Sequence, residues 1–376
     1  MKFPTLVVVA SLLLMATLSS AQTVCFNEVD TATGANPLRA VLLDSNKDGK
    51  VDFALLRSFG LNDTNSALGN GDGTFTKVKT YKGPRNPTSI TSGDFNNDGN
   101  LDLAISFNSP LTNTGIVGIL LGNGDGTFGN AHTVTTLHPA DTIAAGDFNR
   151  DGKLDVAITT GVFASSPDDI ELLLGNGDGT LQPATVVASL PWYTTVLSVT
   201  DLNADGKLDL VSDGGDTNGN GEVLTVLLGN GNGTFQTPAT YHQSLGGGQI
   251  AVADMNGDGK LDVVVPGGPG FLIYYGTGTG TLTGPSSVSV AASPLSVVAL
   301  DIFGNGLLDL VGSDSSGSSR IAIAVNNGDG TFTSQTYNVL STNYYVYAAD
   351  FNNDGKTDVL VLYIDHFGLG VLLNCS

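Results

Sequence analysis

The sequence predicts an all-β fold, a seven-bladed β-propeller of four-stranded antiparallel blades whose last blade is closed by the N-terminal strand. Three observations predict it. A nine-residue string that begins and ends in Asp recurs seven times, with first aspartates at positions 44, 94, 147, 201, 254, 301 and 350. Each interval of about 51 residues holds β-rich runs separated by turns of Gly, Asn and Asp, enough for four strands per repeat. The seventh interval stops one run short, at Cys375-Ser376, while an unassigned β-rich run precedes the first string.

Within a repeat the elements follow a fixed order. The Asp string leads into a continuous or alternating β-rich run such as Leu101–Ser106 or Leu261–Val265. A loop and a second apolar run follow, as in Gly115–Leu121. The chain then reverses at a glycine-rich turn, Gly69–Phe75, Gly122–Phe128, Gly175–Leu181, Gly229–Phe235, Gly276–Leu282 or Asn326–Phe332. Glycines there reach positive φ without steric cost. A polar-alternating strand such as Thr76–Tyr81 leads to the next repeat. No segment has the periodicity of a helix.

The turn occurs six times and not seven. The missing fourth strand of the last repeat is expected from Thr23–Val29, which would close the ring. That places Cys25 beside Cys375, the only two cysteines, and predicts a disulfide across the seam.

Residues 1–21 read as a secretory leader outside the fold. Lys2 precedes an apolar run from Leu6 to Leu18, and small residues flank a cleavage point after Ala21. The run is shorter than the ~20 residues needed to span a bilayer. The expectation is one propeller domain over 22–376, monomeric, without a membrane span, in the periplasm or outside the cell.

The composition narrows the function. The chain has 36 acids against 15 Lys and Arg, a net charge of −21, and 33 of the acids are Asp. A nucleic-acid surface needs clustered cations and is excluded. Asp and Gly together belong to turns, yet the acids recur at identical positions of the string. The intact copies are Asp44, Asn46, Asp48 and Asp52; Asp94, Asn96, Asp98 and Asp102; Asp147, Asn149, Asp151 and Asp155; Asp201, Asn203, Asp205 and Asp209; Asp254, Asn256, Asp258 and Asp262; and Asp350, Asn352, Asp354 and Asp358. Oxygen ligands at positions 1, 3, 5 and 9 of the string, with Gly at 6 for a sharp turn, suit Ca²⁺, which takes six to eight oxygens. Mg²⁺ prefers to keep its waters in strict octahedral geometry. EF-hand and dockerin-type loops place the closing acid at position 12 and lead into a helix; here position 12 is apolar or small and β-rich sequence follows. About six structural calcium sites are expected, because the sixth copy has Phe303 and Asn305 at positions 3 and 5.

The D-x-N-x-D-G-x-x-D strings resemble those of the FG-GAP and VCBS-type repeat proteins secreted by bacteria, and are similar to the calcium loops of the integrin α-subunit propeller. The resemblance covers essentially the whole chain after the leader. It implies a seven-bladed propeller with a calcium loop between the first and second strands of each blade, and it specifies no common activity. The six turns read Asn-Gly-Asp-Gly-Thr-Phe or a close variant where the family has its Phe-Gly signature.

The connections on the face away from these loops are where a ligand is expected. Trp192, Tyr193, Tyr241, His242, Tyr344 and Tyr345 collect before repeats four, five and seven, with Arg85 and His138 in equivalent positions. Aromatic side chains on loops can stack on sugars or anchor a protein partner; the alternative is that Trp192 or Tyr345 packs between blades, as large aromatics usually do. Catalysis finds little support. The four His have no metal-ligand spacing and no Gly-x-Ser-x-Gly elbow occurs. The acids Asp168, Asp169, Asp213 and Asp216, expected in the loops between second and third strands, could pair for glycoside cleavage, but chance adjacency among 33 Asp explains them better. The expected function is that of a non-enzymatic binding or adhesion module for a glycan or an extracellular protein, the alternative being a secreted carbohydrate-active hydrolase or lyase.

Overall fold

Seven four-stranded antiparallel sheets form in the computed structural model. It describes residues 22–34, 36–57, 63–84, 86–108, 114–160, 168–216, 221–243, 247–363 and 366–376. The leader 1–21 and Arg85 lie outside them. Blades 1 to 6 each use four consecutive strands, from β2 (Pro37–Leu43), β3 (Asp52–Arg57), β4 (Asp63–Gly69) and β5 (Phe75–Lys82) in blade 1 to β22 (Val297–Leu300), β23 (Asp309–Gly312), β24 (Arg320–Asn326) and β25 (Phe332–Asn338) in blade 6. Between them lie blade 2 (β6–β9, Pro87–Thr135), blade 3 (β10–β13, Ile143–Leu190), blade 4 (β14–β17, Trp192–Gln243) and blade 5 (β18–β21, Ala251–Ser289).

Blade 7 is composite. Its inner strands are β26 (Asn343–Ala349), β27 (Asp358–Tyr363) and β28 (Gly368–Asn374), and its outer strand is β1 (Phe26–Ala32). β1 begins three residues after the start expected from the sequence, and pairs Phe26 with Asn374 and Ala32 with Gly368. The Cys25–Cys375 disulfide joins the ends of this pair, with Cα atoms 5.1 Å apart at a sequence separation of 350. No helix occurs among the described residues.

The core lies between blades, which explains the apolar runs. A strand buried on both faces carries apolar side chains at every position rather than every second one. In β3, Phe53 and Leu55 pack toward blade 7, whereas Ala54 and Leu56 pack toward blade 2. Each of the seven interfaces has its own cluster of this kind. Burying one Leu or Phe contributes ~1.5–3 kcal/mol, so the ring rests on many modest terms. The outer strands are half solvated and read as alternating, as β5 does.

Candidate metal loops and the opposite face

All seven Asp strings lie between the first and second strands of their blades, on one face of the ring. The position-1 carboxylate organises each loop. Asp94 accepts from the N–H of Asp98 at 3.1 Å and of Gly99 at 2.8 Å, while Asn96 accepts from the same Asp98 N–H at 3.1 Å. The position-1 and position-3 oxygens therefore converge on one point. The same bonds recur in the loops of Asp44, Asp147, Asp201, Asp254 and Asp350. Positive φ falls at position 4 and at the position-6 Gly, even where position 4 is Lys47, Arg150 or Ala204.

The position-5 carboxylate accepts the N–H of position 7, and its second oxygen faces a Lys in several loops. Lys207 lies 2.9 Å from Asp205 and Lys260 lies 3.1 Å from Asp258. Hydrogen bonding to these groups holds the Asp205 and Asp258 carboxyls below their ordinary value. These exposed pairs contribute little to stability.

Position 9 has a role the spacing did not reveal. Asp52, Asp102, Asp155, Asp209, Asp262, Asp309 and Asp358 are all 0% exposed. One oxygen accepts the N–H of position 2, the other the N–H at the end of the third strand. For Asp102 these are Phe95 at 2.8 Å and Gly122 at 2.7 Å. The pattern is complete in all seven blades. Burial pushes Asp155 and Asp309 up to about 6. It raises Asp102, Asp209, Asp262 and Asp358 as well, with the position-1 and position-5 charges adding to the effect. The clamp explains why repeat six keeps Asp309 while losing two other candidate ligands.

The donor set itself suits a hard cation: oxygen atoms only, two already converging, and three carboxylates close enough to repel. Positions 1, 3, 5 and 9 would hold the ion, and its charge would offset that repulsion. Loop shape by itself is not the argument. The sixth loop, with Phe303 packed against the blade 6–7 core, keeps the Asn305 and Gly306 bonds to Asp301. Among the described residues no three acidic or His side chains are already drawn together as a metal cluster.

Position 2 links neighbouring blades. Its side chain is a buried apolar plug in six loops, from Phe95 to Phe351. Its carbonyl accepts from the turn of the next blade: Gly73 on Phe351, Gly179 on Phe95 and Gly233 on Phe148, at 3.0 to 3.2 Å. The turn acids Asp72, Asp125, Asp178 and Asp329 accept the N–H and hydroxyl of the Thr two residues on.

The aromatic residues expected on the opposite loops lie in strands. Trp192 and Tyr193 open β14 (Trp192–Thr200), and Tyr344 and Tyr345 belong to β26. Tyr241 and His242 lie in β17 (Ala239–Gln243), the outer strand of blade 4. Tyr241 packs edge-on against Tyr274, and its hydroxyl accepts the Leu282 N–H at 2.8 Å, so it belongs to the blade 4–5 interface. Trp192 packs against the blade 3–4 core. Arg39 stacks on Tyr345, 4.6 Å from the ring centre. Tyr344 and His242 are exposed.

The central channel is lined by the first strands of the blades, with Arg39, Ser89, Thr142, Ser198, Gln249 and Tyr347 around one opening. Asp141, which the sequence did not single out, is pushed up to about 6 by burial, against the pull of Arg39. Burial, with Asp141 and Asp169 adding to it, lifts Asp168 to about 7. Asp168 and Asp169 open β12 (Asp168–Leu173), and Asp213 and Asp216 lie in β15 (Asp209–Asp216), so these acids belong to strands rather than 2–3 loops. Asp213 is wholly buried, accepting from Gln243 and Gly247 at 3.0 Å, and is closed to a substrate.

Fold and loops together define a seven-bladed propeller with one Asp-rich loop per blade. A family-level comparison matches FG-GAP-like repeats at residues 44–105, 110–158, 162–212, 201–265 and 301–361, and the chain belongs to that family. No curated protein matches it by sequence. Among solved structures it is similar to an Agrocybe aegerita lectin described as specifically recognising non-reducing terminal N-acetylglucosamine, with 18% identity, a TM-score of 0.53, and coverage of 91% of this chain and 87% of that one. It is also similar to BBS1N from a complex with ARL6DN, with 11% identity, a TM-score of 0.61, and coverage of 93% and 96%. At these identities the likeness is one of fold.

Proposed function

We propose that the protein is an exported, calcium-stabilised binding module, non-enzymatic, that engages a glycan or a surface protein through the face opposite the Asp loops. One observation carries this reading. Among the described residues, four of the five exposed large apolar side chains, Leu137, Leu340, Tyr344 and Phe367, lie in the connections or strand starts of that face. Leu340, Tyr344 and Phe367 all belong to blade 7 or to the connection entering it, and local grouping of exposed apolar side chains marks interaction surfaces. The sugar- and protein-bound relatives of the same fold are in keeping with it. Calcium belongs on the other face and supports the scaffold.

The test is a glycan array and a cell-surface binding assay with wild type, Tyr344→Ala and Phe367→Ala. Binding that weakens in both variants supports the reading, and its absence in every arm for the wild type overturns it. The second reading, a carbohydrate-active enzyme, draws on Asp141, which is half-buried, feels the charge of the channel residue Arg39 and is raised to about 6 by burial. New reducing ends released from the same glycans by wild type but not by Asp141→Asn would favour it.

A further inference from the structure

Positive charge is concentrated where the chain otherwise has almost none. Eight of the 15 Lys and Arg, against five of the 36 acids, fall within residues 39–85, giving that stretch a net charge of +3 in a chain of −21. On the outer strand β5 the cations are Lys77, Lys79 and Lys82, all exposed. Lysines on an edge strand commonly serve to block edge-to-edge aggregation. The six other outer strands carry no Lys or Arg and manage without them, so edge protection is not the general requirement here.

Beside these lysines lies a groove of about 190 Å³ between the outer strands of blades 1 and 2. Its floor is Ile105, Phe107 and Leu120, and its far wall is Gly129, Asn130 and Ala131 of β9 (Phe128–Thr135). The small residues Gly129 and Ala131 leave the floor open. At ~30 Å³ per water the groove holds about six waters, the space of one or two side chains. Lys79 flanks it, its ammonium 4.9 Å from the centre of the Tyr81 ring. Lys82 pairs with Asp63 at 2.7 Å, but Asp63 also binds Arg57, so the trio retains one positive charge, and the Lys82 side chain is 69% exposed. Asp125, in the turn of blade 2, feels the charge of Lys79.

We infer that this groove docks an extended acidic segment of a partner protein. β5 is the free edge of its sheet and can pair with a further strand. An apolar side chain of that strand fills the groove, and flanking carboxylates meet Lys79 and Lys82. The apolar floor favours a peptide over a sugar, whose hydroxyls would find few partners there. This surface is separate from the face opposite the loops and stands or falls independently of it.

The test is fluorescence anisotropy of a labelled peptide of alternating Glu and Val, titrated with calcium-loaded protein. A Lys–Val peptide and oligogalacturonate serve as comparisons. The wild type is expected to bind the acidic peptide, with affinity falling as salt screens the contacts. Lys79→Glu and Lys82→Glu should each weaken it about tenfold, and Ala131→Phe, which fills the groove, by a similar factor. Tyr344→Ala and Phe367→Ala should bind it as the wild type does. Equal binding of the Lys–Val peptide, tighter binding of oligogalacturonate, self-association of the chain through this edge, or unchanged affinity in both charge reversals would overturn the proposal. Loss of peptide binding with intact array binding sinks the groove alone, and the converse sinks only the binding face.

Discussion

Asn374 donates its side-chain amide to the backbone carbonyl of Ile302 across 2.8 Å, so the closing strand of blade 7 holds the loop of blade 6. Asn326 makes the equivalent, longer contact to Met255 in blade 5 at 3.4 Å. In the other five blades the residue at this place is Gly69, Gly122, Gly175, Gly229 or Gly276, and a Cβ there would lie 2.1 to 2.2 Å from a backbone oxygen. Two solutions to one joint are present in one ring. Gly175→Ala should therefore be strongly destabilising, because backbone atoms cannot give way. Asn374→Ala, which gives up its bonds to the Ile302 and Thr357 carbonyls and from the Ser376 N–H but leaves the backbone in place, should cost less, on the order of 1–3 kcal/mol. Urea unfolding of the two variants checks the order.

The buried clamp aspartates predict a second result. Asp309→Ala leaves the N–H groups of Ile302 and Asn326 without their acceptor. Each such orphan costs roughly 1–3 kcal/mol. Asp358→Ala, measured in EDTA, should cost about as much. If Asp309→Ala were neutral, position 9 would have no structural role apart from metal.

Calcium predicts a third. An ion bound only by the folded chain raises apparent stability, so EDTA should lower the melting temperature and restored Ca²⁺ should recover it. Elemental analysis should give about six ions per chain, one for each intact string. Phe303→Asn combined with Asn305→Asp should add one more, at some cost in packing, since Phe303 lies against the blade 6–7 core. An unchanged melting temperature would remove calcium from the account.

A fourth prediction concerns pH. Burial lifts the Asp213 carboxyl to about 8, with the Glu222 charge adding to it and the Gly247 and Gln243 bonds opposing it. In the unfolded chain an Asp titrates near ~3.9. Between those values the folded chain holds the extra proton, so stability contributed by this group is full below about pH 4 and declines as pH rises toward about 8. Asp213→Asn should flatten that part of the stability curve measured by denaturant titration. An unchanged slope would assign the dependence to other acids.

The ring closure was legible because the chain lacks one strand at its C-terminus, carries a spare one at its start, and has a cysteine beside each. The loops were legible because Asp and Asn recur at fixed alternate positions of a tight Gly turn. The aromatic residues were legible only in part, packing between blades being one of two readings open for Trp192. Tyr241 and Trp192 sit next to repeat boundaries in sequence, but strand length and pairing decide whether a residue is in a loop, and both fall within strands that pack between blades. Asp141 carried no motif, since its environment is made by the channel wall.

Sequence alone determined the number of blades, the strand order and the oxygen donors, because a repeated local pattern dictates a repeated local geometry. The tertiary structure decided which aspartates are buried and what they hold. Asp309 and Asp301 look alike in the string, yet Asp309 is sealed beneath two backbone N–H groups while Asp301 organises the exposed loop above it. That difference depends on where the third strand and the neighbouring blade bring their backbone, and nonlocal contacts of that kind are settled only when the ring closes.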